Sequence, residues 1–219
     1  MAQPQCSTGL EEVSDLDPSS QINSLWDRIE RAVLAVSSET AATLAPPAEE
    51  AAIWALQDLM GLRLPADFVA SLRRHDGQRD PSRCHEFSGA GILLGVDEIR
   101  ENWHMCCAID SELRRLPAPN FEPSVEMRWG GVSRREEEGP WWKPTLLPFS
   151  FAEGDMLCLD LDLGLGPSCG EVVWFVHDSG LEPGIAASYT EWLAELELRI
   201  RAGGLSVDET GFPSLKPRF

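Results

Sequence analysis

Three aspartates in the second half of the sequence have the clearest potential for chemistry. Asp155, Asp160 and Asp162 fall in the stretch 141–178, which also holds the strongest strand pattern of the chain. Carboxylates at such spacing can serve general acid-base catalysis or bind a cation. On a regular strand, Asp160 and Asp162 point to one face and Leu161 to the other. That face is apolar before Asp160, so we predict that both acids lie near the rim of a sheet, as a solvated acidic edge.

Catalysis by these acids would also need a positioned partner residue. The sequence contains no recognisable nucleophile elbow, phosphate-binding loop or zinc-protease motif. We therefore predict that the protein is not an enzyme and that it has no catalytic residues.

Histidine and cysteine side chains raise the alternative of a metal site. Cys84-His85 and His104-x-Cys106-Cys107 bring such ligands together, but the sequence has no C-x-x-C pair. The six cysteines also lack the spacing of a small disulfide framework. Each of these residues has an ordinary explanation in core packing. We predict reduced thiols, no metal and no cofactor.

Apolar runs within 141–178 predict the strands that carry the acids. They cover 146–151, 156–163 and 171–177. Glu153-Gly154-Asp155 separates the first two, and glycines at 164, 166 and 170 separate the last two. Runs broken in this way are typical of strands joined by hairpins, so we expect three adjacent antiparallel strands. A weaker, glycine-spaced run at 87–96 predicts a short additional strand.

Helical patterns lie before and after these strands. Apolar residues recur at three- and four-residue steps over about 22–36, 48–60, 65–75, 97–113 and 188–203. Gly61 stands where a left-handed C-cap is needed, and Asp97 where an N-cap is favoured. Ser188 and Glu191 have the spacing of a capping box, which marks the start of the last helix.

Together these elements predict a single α+β domain, with a central, mainly antiparallel sheet covered by helices. We place the domain at 21–203, between a flexible N-terminal tail at 1–20 and a C-terminal tail at 204–219 that is either free or docked. Within the domain, 116–140 combines four prolines with a cluster of charges. We interpret it as a long loop excursion, for which a binding role and plain disorder are both open.

The charge balance restricts the partners of the protein. The chain of 219 residues has 18 basic and 36 acidic residues, a formal net charge of -18. Nucleic acids and anionic membranes would be repelled at long range. The acidity is explained either by solubility or by attraction of a basic partner. The N-terminal sequence lacks the pattern of a secretory leader, so a cytoplasmic location is expected.

The ordered set of motifs resembles one known family. The motifs are Trp26-x-x-Ile29, Pro46-Pro47-Ala48, Leu64-Pro65-x-x-Phe68-x-x-x-Leu72-x-x-His75-Asp76-Gly77, Leu147-Pro148-Phe149, Gly154-Asp155, Leu159-Asp160, Gly170-Glu171-Val172 and Ala187-Ser188-Tyr189-x-x-Trp192-Leu193. In this order, over about 22–200, they resemble the SUKH superfamily, in the branch of the fungal cell-wall-synthesis regulators. Gly164 departs from the proline that the family often has after its Leu-Asp strand.

The resemblance implies an α+β fold with a central antiparallel sheet and no known catalytic centre. In bacteria it implies a frequent role as an immunity protein, which binds and neutralises a cognate toxin. The alternative, implied by the fungal relatives, is an intracellular scaffold or regulator of cell-wall synthesis that acts by protein–protein interaction. The sequence does not identify the toxin, the mode of inhibition or the oligomeric state.

We favour the hypothesis that an acidic surface on the sheet meets the basic face of a protein toxin, such as a nuclease. An anionic surface competes for a cationic cleft and is steered to it. Indole rings provide anchors because they bury a large area and keep a donor. The predicted partner-binding residues are the acids Glu153, Asp155, Asp160, Asp162 and Asp178 and the anchors Trp141 and Trp142. Trp174 has a core position as an equal alternative.

Overall fold

A computed structural model describes residues 17–80, 82, 84–115, 141–162, 164, 166, 169–209 and 211–216. The predicted excursion at 116–140 and most of the predicted N-terminal tail lie outside these ranges. The helices are α1 (Pro18–Val36), α2 (Ser38–Thr43), α3 (Glu50–Met60), α4 (Ala66–Leu72), α5 (Val96–Leu113) and α6 (Tyr189–Arg199), which continues into a π-helical turn at Ile200–Gly204. The strands are β1 (Ile92–Leu93), β2 (Leu146–Pro148), β3 (Ser150–Phe151), β4 (Met156–Asp160), β5 (Glu171–Val176), β6 (Gly180–Ala186), β7 (Leu205–Val207) and β8 (Pro213–Leu215).

The central sheet has four antiparallel strands in the order β2-β4-β5-β6. Leu147 pairs with Leu159, and Cys158 pairs with Val173. Two smaller antiparallel pairs, β1 with β3 and β7 with β8, complete the strands. The predicted α+β fold with an antiparallel sheet is confirmed.

Helices cover both faces of this sheet. Leu157 and Leu159 point into the larger core, which also contains the buried faces of α1, α4 and α6. Met156 and Cys158, which alternate with them along β4, point into a smaller core beneath α5. Buried side chains on both faces explain why β4 reads as a continuous apolar run.

Local signals at the helix ends have mixed outcomes. Gly61 adopts φ 65° as the left-handed C-cap of α3, and the Ser188 hydroxyl accepts a hydrogen bond from the Glu191 amide at the start of α6. The C-cap at Gly61 and the helix start at Ser188 are confirmed, but the Glu191 carboxylate accepts from the Ala187 amide at 3.1 Å and does not complete the predicted capping box. The prediction for α5 is wrong, because its N-cap is Gly95. The carboxylate of Asp76 accepts a hydrogen bond from the Val96 amide at 2.8 Å. An acid 20 residues earlier in the sequence therefore caps this helix in place of Asp97.

The strands differ from prediction mainly at their ends. β4 stops at Asp160 instead of residue 163, and the strand expected at 87–96 is only the two residues of β1. The sequence pattern missed β6, whose glycines at 180 and 184 resemble a turn.

The C-terminal segment docks on the domain. β7 and β8 form a hairpin that begins after residue 203, where the predicted domain ends. Leu205 and Leu215 are 4% and 6% exposed and belong to the larger core. At the other end, α1 begins at Pro18, within the predicted tail. Within the described residues, no helix is both long and apolar enough to cross a bilayer.

Candidate partner-binding surface

A tight turn joins β3 to β4 at one end of the sheet. Ala152 and Asp155 exchange backbone hydrogen bonds of 2.8 and 2.9 Å across it. The two central residues, Glu153 and Gly154, have φ of 53° and 105°. Positive φ at both positions is typical of the hairpin turns that follow the twist of antiparallel strands. A Cβ atom on Gly154 would lie 3.1 Å from Nδ1 of His177, so glycine also makes room for the next turn of the sheet.

His177 links this turn to the one between β5 and β6. One carboxylate oxygen of Asp155 accepts from the His177 amide at 3.0 Å and lies 2.7 Å from its Nδ1. Asp178 lies 3.2 Å from the other ring nitrogen, Nε2. The hydrogen bond to Asp155 raises the pKa of His177 above its ordinary value, and the negative charge of Asp178 adds to the effect. The imidazole of His177 lies between two carboxylates.

Trp141 joins the same end of the sheet. Its indole Nε1 donates to the His177 carbonyl at 2.9 Å, and its ring packs edge-on against Phe175 with centroids 5.0 Å apart. The side chain is half-buried, so part of the ring faces solvent while the rest is fixed. We call Trp141, Glu153, Asp155, His177 and Asp178 the hairpin-end surface.

Trp142 does not belong to this surface. It is fully buried in the smaller core, where its ring packs perpendicular to Phe175 at 5.0 Å. Its amide donates to the Asp110 carboxylate at 3.2 Å. The expectation that Trp142 anchors a partner directly is therefore wrong, because a partner has no access to the ring. Trp142 supports Phe175 from within, and Phe175 in turn supports Trp141.

Asp160 and Asp162 lie at the opposite end of β4. Asp160 follows Asp155 by five positions, which on a strand corresponds to about 17 Å. Asp160 is only 4% exposed and lies 3.3 Å from the Lys143 ammonium and 3.4 Å from the Thr145 hydroxyl. The expected solvated edge is wrong for Asp160, because residues preceding β2 fold over it. Asp162 is half-buried, and its carboxylate accepts from the Gly164 amide at 2.8 Å.

The structure thus divides the predicted residues into two groups. It brings Trp141, Glu153, Asp155 and Asp178 together at the hairpin end, and it leaves Asp160 and Asp162 at the far end. Sequence reasoning missed His177 as the residue that organises the first group. The sequence did contain a signal for His177. When two strands pair in antiparallel fashion, the start of one lies beside the end of the other, so Asp155 before β4 is expected next to His177 after β5.

The cysteine and histidine motifs have separate local roles. His85 lies 3.2 Å from a carboxylate oxygen of Asp80, whose pKa is lowered by hydrogen bonds from Ser82 and His85 that outweigh its desolvation. Burial raises the pKa of Cys106 to about 12 and that of Cys158 well above its ordinary value. Thiols in this state are poor nucleophiles and poor metal ligands. Across the described residues, no three His, Cys, Asp or Glu side chains gather in a way that could hold a metal ion.

The fold, in which helices cover an antiparallel sheet, is of the SUKH class. Comparison with family models identifies the family within that class. The model of the SMI1 / KNR4 family (SUKH-1) matches residues 47–195, more than half of the chain, and the chain belongs to this family. Members of the family are generally non-enzymatic immunity proteins. A search of curated proteins finds no matching relative.

Proposed function

We propose that this protein is an immunity-type binding protein that neutralises a cognate protein toxin through its hairpin-end surface. The observation that carries the proposal is the gathering of two acids around His177, whose carbonyl also holds the half-buried indole of Trp141, on a domain of the SUKH-1 family. A cytoplasmic, non-enzymatic role follows from the same proposal.

The surface has the charge and the rigidity that such binding requires. Glu153, Asp155 and Asp178 give this surface three carboxylates, and His177 gives it one imidazole. The side chain of Asp178 is 64% exposed and that of Asp155 is 27% exposed, so a partner reaches Asp178 more easily. Asp155 and Asp178 both contact His177, but Asp178 and the exposed Glu153 face solvent and are open to a basic partner. The contact with His177 orients Asp178, so this charge needs little reordering on binding, which favours affinity.

A nuclease is the toxin class that fits this surface best. Nucleases present cationic clefts to phosphates, and an acidic protein is steered to such a cleft by long-range attraction. The exposed acids Glu153 and Asp178 contribute mostly to the association rate, while Trp141 contributes buried contact area.

Charge reversal at the hairpin end tests the proposal. We expect Glu153→Lys with Asp178→Lys to weaken binding of the cognate toxin by roughly a hundredfold, because each substitution places like charges together. The melting temperature should change little, since both side chains are exposed. The matched control is Asp58→Lys with Glu209→Lys, two exposed acids on α3 and in the β7–β8 turn that change the net charge equally.

Binding is measured by calorimetry, and protection by growth of a bacterial host that expresses the toxin with each variant. The proposal requires that the wild-type protein and the control protect the host and that the hairpin-end variant does not. Equal protection by all three would place binding elsewhere. Failure of the wild-type protein to bind or protect would instead favour the alternative role as an intracellular regulator of cell-wall synthesis.

A further inference from the structure

Three arginines surround a cleft on the helical side of the molecule, away from both hairpin turns. Arg28 and Arg31 come from α1, and Arg201 comes from the π-helical turn that follows α6. Glu197 on α6 and Ala32 on α1 complete the lining of a cavity of about 310 Å³. We call Arg28, Arg31, Glu197 and Arg201 the arginine cleft.

Each guanidinium in the cleft has a contact at its Nε atom. Nε of Arg28 lies 3.2 Å from Oε1 of Glu197, and Nε of Arg201 lies 3.4 Å from the same oxygen, which accepts no hydrogen bond from either. Nε of Arg31 donates to the Asp27 carbonyl at 2.9 Å. Glu197 is only 4% exposed, so a buried carboxylate attracts two of the arginines by its charge.

The outer nitrogens of the guanidinium groups, the Nη atoms, have few hydrogen-bond partners among the described residues. One Nη of Arg28 donates to the Ser24 hydroxyl at 2.8 Å. Across the described ranges, no oxygen accepts a hydrogen bond from the Nη atoms of Arg31 or Arg201. A guanidinium group binds an oxyanion through parallel N–H donors. A contact at Nε that leaves the Nη donors free is therefore suited to an oxyanion ligand.

The local charge supports the same ligand. Three guanidinium groups and one carboxylate give the cleft a formal charge of +2, whereas the chain has -18.

We propose that the arginine cleft binds the phosphoryl group of a small ligand. A tetrahedral phosphate presents several oxygens and can accept from Arg28, Arg31 and Arg201 at once. The cleft volume of about 310 Å³ is near the lower end of the range for small-molecule pockets, so the cleft has room for a phosphate or a small phosphate monoester. The net negative charge of the chain disfavours a polyanion such as nucleic acid. The ligand is therefore either free phosphate or a small phosphate monoester.

Calorimetric titration of the full chain with inorganic phosphate tests this site. At constant ionic strength, we expect saturable one-to-one binding that sodium chloride does not reproduce. Arg31→Gln and Arg201→Gln should each weaken phosphate binding roughly tenfold, because each removes charge-assisted hydrogen bonds. Arg79→Gln is the matched control, since Arg79 is an exposed arginine of the loop before β1. Thermal unfolding without phosphate shows whether each variant keeps the fold.

A parallel titration with glycerol 3-phosphate distinguishes the two sources of the phosphoryl group. Tighter binding of the monoester identifies an esterified ligand, and equal or weaker binding identifies the free anion. Absence of saturable binding of both compounds would overturn the proposal, as would unchanged affinity in folded Arg31→Gln. The charge reversals at Glu153 and Asp178 should leave phosphate affinity unaltered, so this site and the proposed toxin-binding surface can fail independently.

Discussion

Asp155 and Asp160 show what residue types and spacing can and cannot predict. Both are strand-end aspartates in the same apolar stretch, and sequence reasoning gave them the same role. In the structure Asp155 organises an exposed turn, whereas Asp160 is buried beside Lys143 and Thr145. Strand alternation fixes the face on which a side chain lies but not what covers that face. The covering residues come from the segment before β2, for which no local pattern predicted a position.

The burial of Asp160 makes it a structural residue by our interpretation. Asp160→Ala should lower the free energy of unfolding by about 1–3 kcal/mol, because the variant loses buried hydrogen bonds and leaves the Lys143 ammonium without its carboxylate. Asp162→Ala should cost less than about 1 kcal/mol, since Asp162 is half-buried and, within the described part of the chain, its carboxylate accepts only from the Gly164 amide nearby. Urea denaturation measures both values. Equal losses of unfolding free energy in the two variants would contradict the conclusion that Asp160 is structural and Asp162 is not.

At the scale of elements, local signals predicted helices better than strands. Ser188 and Gly61 act on backbone groups within a few residues, so their roles were visible in the sequence. β6 depends on pairing with β5, and at its bulge the Glu171 carboxylate accepts from the Gly184 amide at 2.7 Å. Such a contact across strands compensates for glycine in a strand. It could not be predicted from the residues of β6 alone.

Two glycines with similar backbone angles provide a test of packing between elements. Gly61 has φ 65° with open space around it, whereas Gly77 has φ 70° and a Cβ there would lie 2.3 Å from the Gly95 nitrogen. Gly61→Ala should cost about 1 kcal/mol, the penalty of a left-handed alanine. Gly77→Ala should cost more than about 3 kcal/mol, because the backbone before α5 has to move. If urea denaturation gives similar losses of unfolding free energy for the two variants, the backbone angle alone determines the cost at both glycines.

At the scale of the whole molecule, the packed domain is larger than the segment that matches the family model. The match covers residues 47–195, but α1 lies before it and the β7–β8 hairpin lies after it. α1 buries one apolar face against α4 and α6. The Trp26 indole donates to the Ser71 hydroxyl at 2.9 Å, and that hydroxyl lies 2.8 Å from the Tyr189 hydroxyl. The apolar spacing of α1 predicted the helix correctly, but not this network.

These contacts predict that a fragment of residues 47–195 does not fold. α1 buries five apolar side chains, namely Ile22, Leu25, Trp26, Ile29 and Val33. At about 1.5–3 kcal/mol for each side chain, their burial is worth about 10 kcal/mol, which is comparable to the whole stability of a typical domain. The control is a fragment of residues 17–216, which keeps α1 and both terminal strands and should unfold cooperatively near the melting temperature of the full chain. Circular dichroism and amide chemical-shift dispersion measure folding. A cooperative transition in the 47–195 fragment would show that the sheet, α4 and α6 are stable without α1.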